Sequence, residues 1–228
     1  MNRFLLITFV LFISSCTYQR VPTAVKQKFS YCISNDSSKI NSNLDLNGYY
    51  EFFKYKIDEK GQFVIRDSTS SNRYLFFNDG TFMIIRHPKR NLEGTFGEMI
   101  AYANNHKKHP GYYHTDWGAY RIYGDTIKTQ FMNHKTTLEE NRMYLFEQWF
   151  LIIGYRKIKQ IGGKYLVAFE GGKQVRDEKS GVIEEYEAIR TQMAEFVPII
   201  NLPPPNSWLK NEKWFWCNER DYINWISK

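Results

Sequence analysis

Four of the chain's five histidines fall between His87 and His114. His106, His109 and His114 follow one another at x2 and x4 spacing with Asp116 just beyond, and imidazoles so spaced are of the type that shares a divalent metal. Lys107 and Lys108 stand between them and repel a cation, and Pro110-Gly111 interrupt the rigid ligand geometry such a site needs. The segment therefore reads as a wet cationic loop, and no metal is expected. No Gly-x-Ser-x-Gly elbow is present, and Cys32 and Cys217 carry no local catalytic signature. Gly162-Gly163-Lys164 and Gly171-Gly172-Lys173 lack the Ser/Thr and the spacing of a phosphate loop, so they read as hairpin turns. Glu139-Glu140 and Glu184-Glu185 are adjacent pairs whose side chains diverge on a strand or helix and cannot flank one substrate bond. Neither enzymatic activity nor a cofactor is expected.

The elements that would position these residues are short and β-rich. Of 228 residues, 17% are aromatic, 24% charged and 43% hydrophobic, which excludes disorder and favours half-buried pleated surfaces. Runs of aromatic and β-branched residues arrive every 8–12 residues or so, separated by turn chemistry, the signature of an antiparallel sandwich or barrel. Residues 47–57 and 63–66 read as strands. Residues 73–77 and 81–86 flank Asn78-Asp79-Gly80, where a type I′ turn is expected. Residues 117–123 and 126–132 flank Gly124-Asp125, and 144–153, 155–161 and 165–170 continue the series. Residues 182–197 read either as a helix or as a strand that closes the sheet. The expected fold is all-β: an antiparallel up-and-down barrel of about 8–10 strands, with a nine- or ten-strand sandwich as its rival. A helical insertion at 95–104, where Phe96, Met99, Ile100 and Ala103 recur at helical spacing, lies in the long connection 87–116 and is expected to cover one barrel mouth. Pro203-Pro204-Pro205 introduces an irregular tail rich in tryptophan. Its rings either pack on the outside or mouth of the barrel or lie at a bilayer interface.

Met1 to Cys16 carries the strongest signal. One charge at Arg3, an apolar run over 4–13 and small residues make a secretory signal. Ten helical residues reach about 15 Å, half of the ~30 Å hydrocarbon core, so the run cannot span it. Ile13-Ser14-Ser15-Cys16 resembles the lipobox of bacterial lipoproteins, which implies cleavage before Cys16 and acylation of that residue. The following Thr17, in place of the aspartate associated with inner-membrane retention, implies the outer membrane, with a periplasm-facing orientation. The body looks like a lipocalin-like barrel: Gly48-Tyr49-Tyr50 is similar to the Gly-x-Trp opening of lipocalins, with Tyr50 in place of the tryptophan. Trp117-Gly118-x-Tyr120 and Gly124-Asp125-Thr126 are similar to segments of envelope lipoproteins of Bacteroidetes-type bacteria.

The chain thus divides into a signal peptide (1–15), a lipidated tether (16–43), the barrel (44–200) and a Pro/Trp-rich tail packed on it (201–228). With Cys16 lipidated, Cys32 and Cys217 form an even pair in an oxidising compartment and are expected to be bonded. A pI near 9.1 suits nucleic acid, yet export removes such partners, and the net charge of +7 is better matched to an anionic membrane or glycan surface. Two functions stay open. One is a barrel holding a small apolar or glycan ligand, with Tyr50, Tyr112, Tyr113 and Trp117 as contact residues. The other is a structural or assembly lipoprotein with a filled barrel that docks an envelope protein partner.

Overall fold

The computed structural model describes residues 21–34, 44–52, 54–57, 63–66, 72–85, 115–136, 141–154, 156–170, 173–176, 193–202, 204–205 and 207–227. The strands are β1 (Gly48–Phe52), β2 (Lys54–Ile57), β3 (Phe63–Arg66), β4 (Asn72–Phe76), β5 (Thr81–Ile85), β6 (Thr115–Tyr123), β7 (Thr126–Thr136), β8 (Asn141–Ile152), β9 (Lys157–Glu170), β10 (Lys173–Arg176) and β11 (Met193–Pro198). Eight of them form a ring in the order β9, β11, β1, β4, β5, β6, β7, β8, which closes through β8–β9. Every pairing is antiparallel and the chain meanders from neighbour to neighbour, so the up-and-down barrel stands. β10 pairs outside the ring on β9, and β2 and β3 form their own two-stranded ladder. The run 47–57 is therefore two strands serving two sheets.

Strand alternation divides the side chains between two cores. Tyr50, Phe52, Tyr74, Phe76, Phe82, Ile84, Tyr120, Ile127, Phe131, Phe150, Ile158 and Ala194 face the lumen. Tyr49, Leu75, Met83, Ile85, Trp117, Ala119, Met132, Leu145 and Val167 face outward and are buried too. A barrel wall buried on both faces needs a second layer, and the chain termini supply it.

The N-terminal half of that layer corrects the expected tether. Residues 21–34 are part of the folded body: helix α1 (Thr23–Lys28) and its flanks bury Val21, Val25, Phe29 and Ile33 against the outer wall. Four apolar residues spaced by four present one face, and its burial outweighs the polar character of the residues between them. The C-terminal half comprises two 3-10 turns (Trp208–Asn211 and Lys213–Phe215) and helix α2 (Glu219–Ile226). Leu209, Phe215 and Trp216 join the same core. The two halves touch directly. Ile33 N donates to Phe215 O and Cys217 N to Ile33 O, a parallel bridge, and Cys32 is disulfide-bonded to Cys217.

Two turn assignments also change. Gly162 and Gly163 are not a turn; β9 runs straight through them, opposite Trp149 and Gln148 of β8. A Cβ on Gly163 would stand 2.6 Å from the Glu147 carbonyl, so Gly163 serves close approach of two strands. At 77–81 only Gly80 has positive φ (83°), Gly80 N donates to Phe77 O, and Phe77 N to Thr81 O. That is a three-residue loop ending in a glycine bulge, not a two-residue type I′ turn, and the Asp79 carboxylate holds it by accepting from Thr81 N and Oγ1. Gly124 (φ 58°) takes the first central position of a two-residue loop between Tyr123 and Thr126.

Candidate functional site: a crossed lumen and an outer face

An eight-stranded barrel is just wide enough either to be filled by its side chains or to hold one small ligand. Here rings from opposite walls meet. Phe52 of β1 lies 5.6 Å from Phe150 of β8, three strands away, and Tyr74 of β4 lies 5.3 Å from the same ring from the diametrically opposite strand. The Tyr74 hydroxyl donates to Gln148 Oε1 at 3.0 Å, so a hydrogen bond crosses the lumen as well. Toward the short-turn end the packing continues through Phe76, Tyr120 and Phe82, with Tyr120 donating to Phe77 O at 2.8 Å. Leu44 and Leu46 add to this core, and Asp45 N donates to the Tyr50 hydroxyl. Arg156 pairs with Asp45 at 2.9 Å and closes that end over the Phe196 ring. Burial pushes the Tyr50 and Tyr120 phenols above their ordinary value, and the nearby Asp45 and Asp79 carboxylates add to the shift.

At the other end the lumen-facing wall is less covered. Phe146 stacks on Phe131 at 5.2 Å and meets Tyr165 at 4.4 Å, with Tyr144 alongside. Tyr165 is 44% exposed.

Of the expected contact residues, Tyr50 and Trp117 do not share a surface. Tyr50 is buried inside, held by the Phe76 and Phe196 rings. Trp117 points the opposite way, out of the barrel, stacked on Phe77 at 5.7 Å beneath the terminal layer. The reason is parity: Trp117 opposes Met83 and Met132 on the outer face, while its neighbour Gly118 opposes Phe82 and Phe131 on the inner one. Trp117 therefore lies at no mouth. Tyr112, Tyr113, the lipobox with Cys16, His87, His106, His109, His114, the helical insertion 95–104, Glu139-Glu140 and Glu184-Glu185 lie outside the described residues. Among the described residues no three His, Cys, Asp or Glu side chains converge as a metal site, and no helix is long and apolar enough to cross a membrane.

The outer wall carries polar chemistry that strand parity alone could have flagged. Gln130 and Glu147 oppose each other on β7 and β8, both buried and both outward. Gln130 Oε1 accepts from Ser30 N (2.8 Å) and Tyr31 N, and its Nε2 donates to Glu147 Oε2 at 2.9 Å. Glu147 Oε1 accepts from Trp149 Nε1 at 2.7 Å. Burial and the Glu147 charge raise the Tyr31 phenol well above its usual value. Arg121 donates to Cys32 O and stands 3.6 Å from Cys217 Sγ. Lys210, buried in the tail, pairs with Asp79 at the β4–β5 turn and lies 4.7 Å from the Trp225 ring.

Beyond this network, at the short-turn end, the outer wall emerges into solvent. Tyr123 is 56% exposed, and Leu151 and Ile153 are exposed beside it. The Lys128 ammonium sits between the Tyr123 and Trp149 rings, 5.7 and 5.6 Å from their centroids. No family model matches this chain, and neither a curated protein nor a solved structure resembles it significantly.

Proposed function

We propose that this is a lipid-anchored envelope protein that works through its outer surface, as a structural or assembly component, and does not carry a ligand along its axis. The observation behind this reading is the crossed lumen: Phe52, Tyr74 and Phe150 meet across it and Tyr74 bonds Gln148. A ligand seated at this level would have to displace buried rings, each of which fills some 150–250 Å² of apolar surface. The membrane attachment rests on the resemblance of Ile13-Ser14-Ser15-Cys16 to a lipobox, with the outer membrane and a periplasm-facing orientation as the corresponding location. A second reading, a small glycan or amphiphile held at the less covered mouth, draws on Phe146 and the half-open Tyr165.

The test has two arms on protein made in a lipoprotein-processing bacterium. Labelled palmitate should enter the wild-type chain and not Cys16→Ala; label in both would remove the anchor at that residue. Native mass spectrometry of the extracted protein should show the acylated chain alone. A retained small molecule lost on Tyr165→Ala would move the function to the mouth.

A further inference from the structure

The exposed aromatic face of β6–β8 stands apart from the other solvent-facing hydrophobics. Ile223 and Ile226 of α2 lie on a helix whose own rings, Tyr222 and Trp225, turn to the body and reach Asn211. Ile200 is an isolated exposed side chain. On β6–β8, by contrast, the exposed Tyr123, Leu151 and Ile153 are gathered beside the half-buried Trp149, with Lys128 wedged between two rings. Lys159 opposes Leu151 across β8–β9, outward like it. Amphipathic rings with aliphatic neighbours and lysines match the headgroup layer of a bilayer, where indole and phenol are favoured and each lysine is attracted by anionic lipid. Two acids border it: Asp125 at the β6–β7 turn, and the buried Glu147, whose carboxylate accepts from Trp149 Nε1 and pairs with Lys164.

The tether length limits how far the barrel can stand from the membrane. The first described residue, Val21, is packed in the outer core five residues after Cys16, and five residues reach at most about 18 Å even when fully extended. A chain acylated at Cys16 therefore cannot hold the barrel away from the headgroups; some face must lie on them. The N-terminal segment runs over the same outer wall, with Ser30 and Tyr31 bonded to Gln130, two residues along β7 from Lys128.

We propose that the outer face of β6–β8 formed by Tyr123, Lys128, Trp149, Leu151 and Ile153 docks on the anionic bilayer surface that holds the lipid anchor. The proposal rests on the lipid-anchored reading above. Trp149 enters the headgroup layer, and Lys128 and Lys159 meet the lipid phosphates.

The test uses the mature acylated protein reconstituted into vesicles of phosphatidylglycerol and phosphatidylcholine with brominated acyl chains. Bromine should quench part of the tryptophan emission, at least twofold less so in vesicles of phosphatidylcholine alone. Trp149→Phe should abolish most of that quenching, and Leu151→Asp should weaken it severalfold while Ile223→Asp leaves it unchanged. All three sites are at least partly solvent-exposed, and circular dichroism checks the fold. A protein that floats with the vesicles yet shows no quenching assignable to Trp149 overturns the docking face and leaves the anchor. A processed wild-type chain that proves to carry no acyl group and does not float with the vesicles overturns both. A photo-crosslinker at position 151 that joins the face to a protein, with no quenching, overturns the lipid assignment in favour of a protein partner.

Discussion

At Gly118 an added Cβ would stand 2.1 Å from the Gln130 carbonyl, 2.5 Å from Phe82 and 2.7 Å from Phe131. The glycine thereby lets rings on β5 and β7 meet over β6, 5.9 Å apart and edge-to-face. Backbone leaves no room to yield, so Gly118→Ala should lower stability by about 3 kcal/mol or more, the upper end of overpacking costs. Gly124, with positive φ and nothing within 4 Å of where an added Cβ would stand, should accept asparagine with a change under about 1 kcal/mol. Urea unfolding of both variants decides the matter; equal midpoints would mean that Phe82 and Phe131 are not held over the glycine. Trp117-Gly118 was legible in the sequence as part of a strand. Which of the two faces the lumen was not, because alternation says only that neighbours differ, and the identity of the inner face is set by closure of the ring.

The N-terminal segment is the element whose role changed most between sequence and fold. Val21, Val25, Phe29 and Ile33 stand four residues apart, yet among the polar residues around them the segment reads as a tether. The spacing becomes meaningful only because Leu209, Phe215 and Trp216 arrive from the far end of the chain to share the same core. The Cys32–Cys217 disulfide, 185 residues apart in sequence, locks these two halves together. Closing so long a loop is worth roughly 5 kcal/mol in the chain-entropy model, an upper figure. Cys32→Ser with Cys217→Ser should therefore cost about 2–5 kcal/mol. Protease should then cut first within residues 21–34 or 207–227 while the barrel strands stay protected. Thiol titration of the denatured, unreduced wild-type protein should find neither of these cysteines free. Two free thiols there, or a double variant as stable as the parent, would remove the latch.

Across the whole molecule, the two cores share a pH liability. Tyr50 and Tyr120 inside the barrel and Tyr31 beneath the terminal layer all have phenols raised by burial, the largest cause in each case. Below the ordinary phenol value of about 10 both folded and unfolded chains keep these protons, and stability does not depend on them. Above it the unfolded chain releases protons that the folded chain retains, so stability falls as pH rises from there. Phenolate absorbance should show that group of the 16 tyrosines ionising only together with loss of the fold. A smooth titration of all tyrosines in the folded state would contradict the burial of these three. The sequence by itself determined the alternating strands, the hairpin at Asp79-Gly80, the even cysteine pair and the leader that resembles a lipobox, because each is a local pattern with a local physical cause. Only the tertiary structure decided that rings cross the lumen, that Trp117 faces outward, that Gly162-Gly163 lie inside a strand and that both termini form one outer layer. Those outcomes depend on which surfaces meet when the ring closes, and surfaces brought together from opposite ends of a chain leave no local signature.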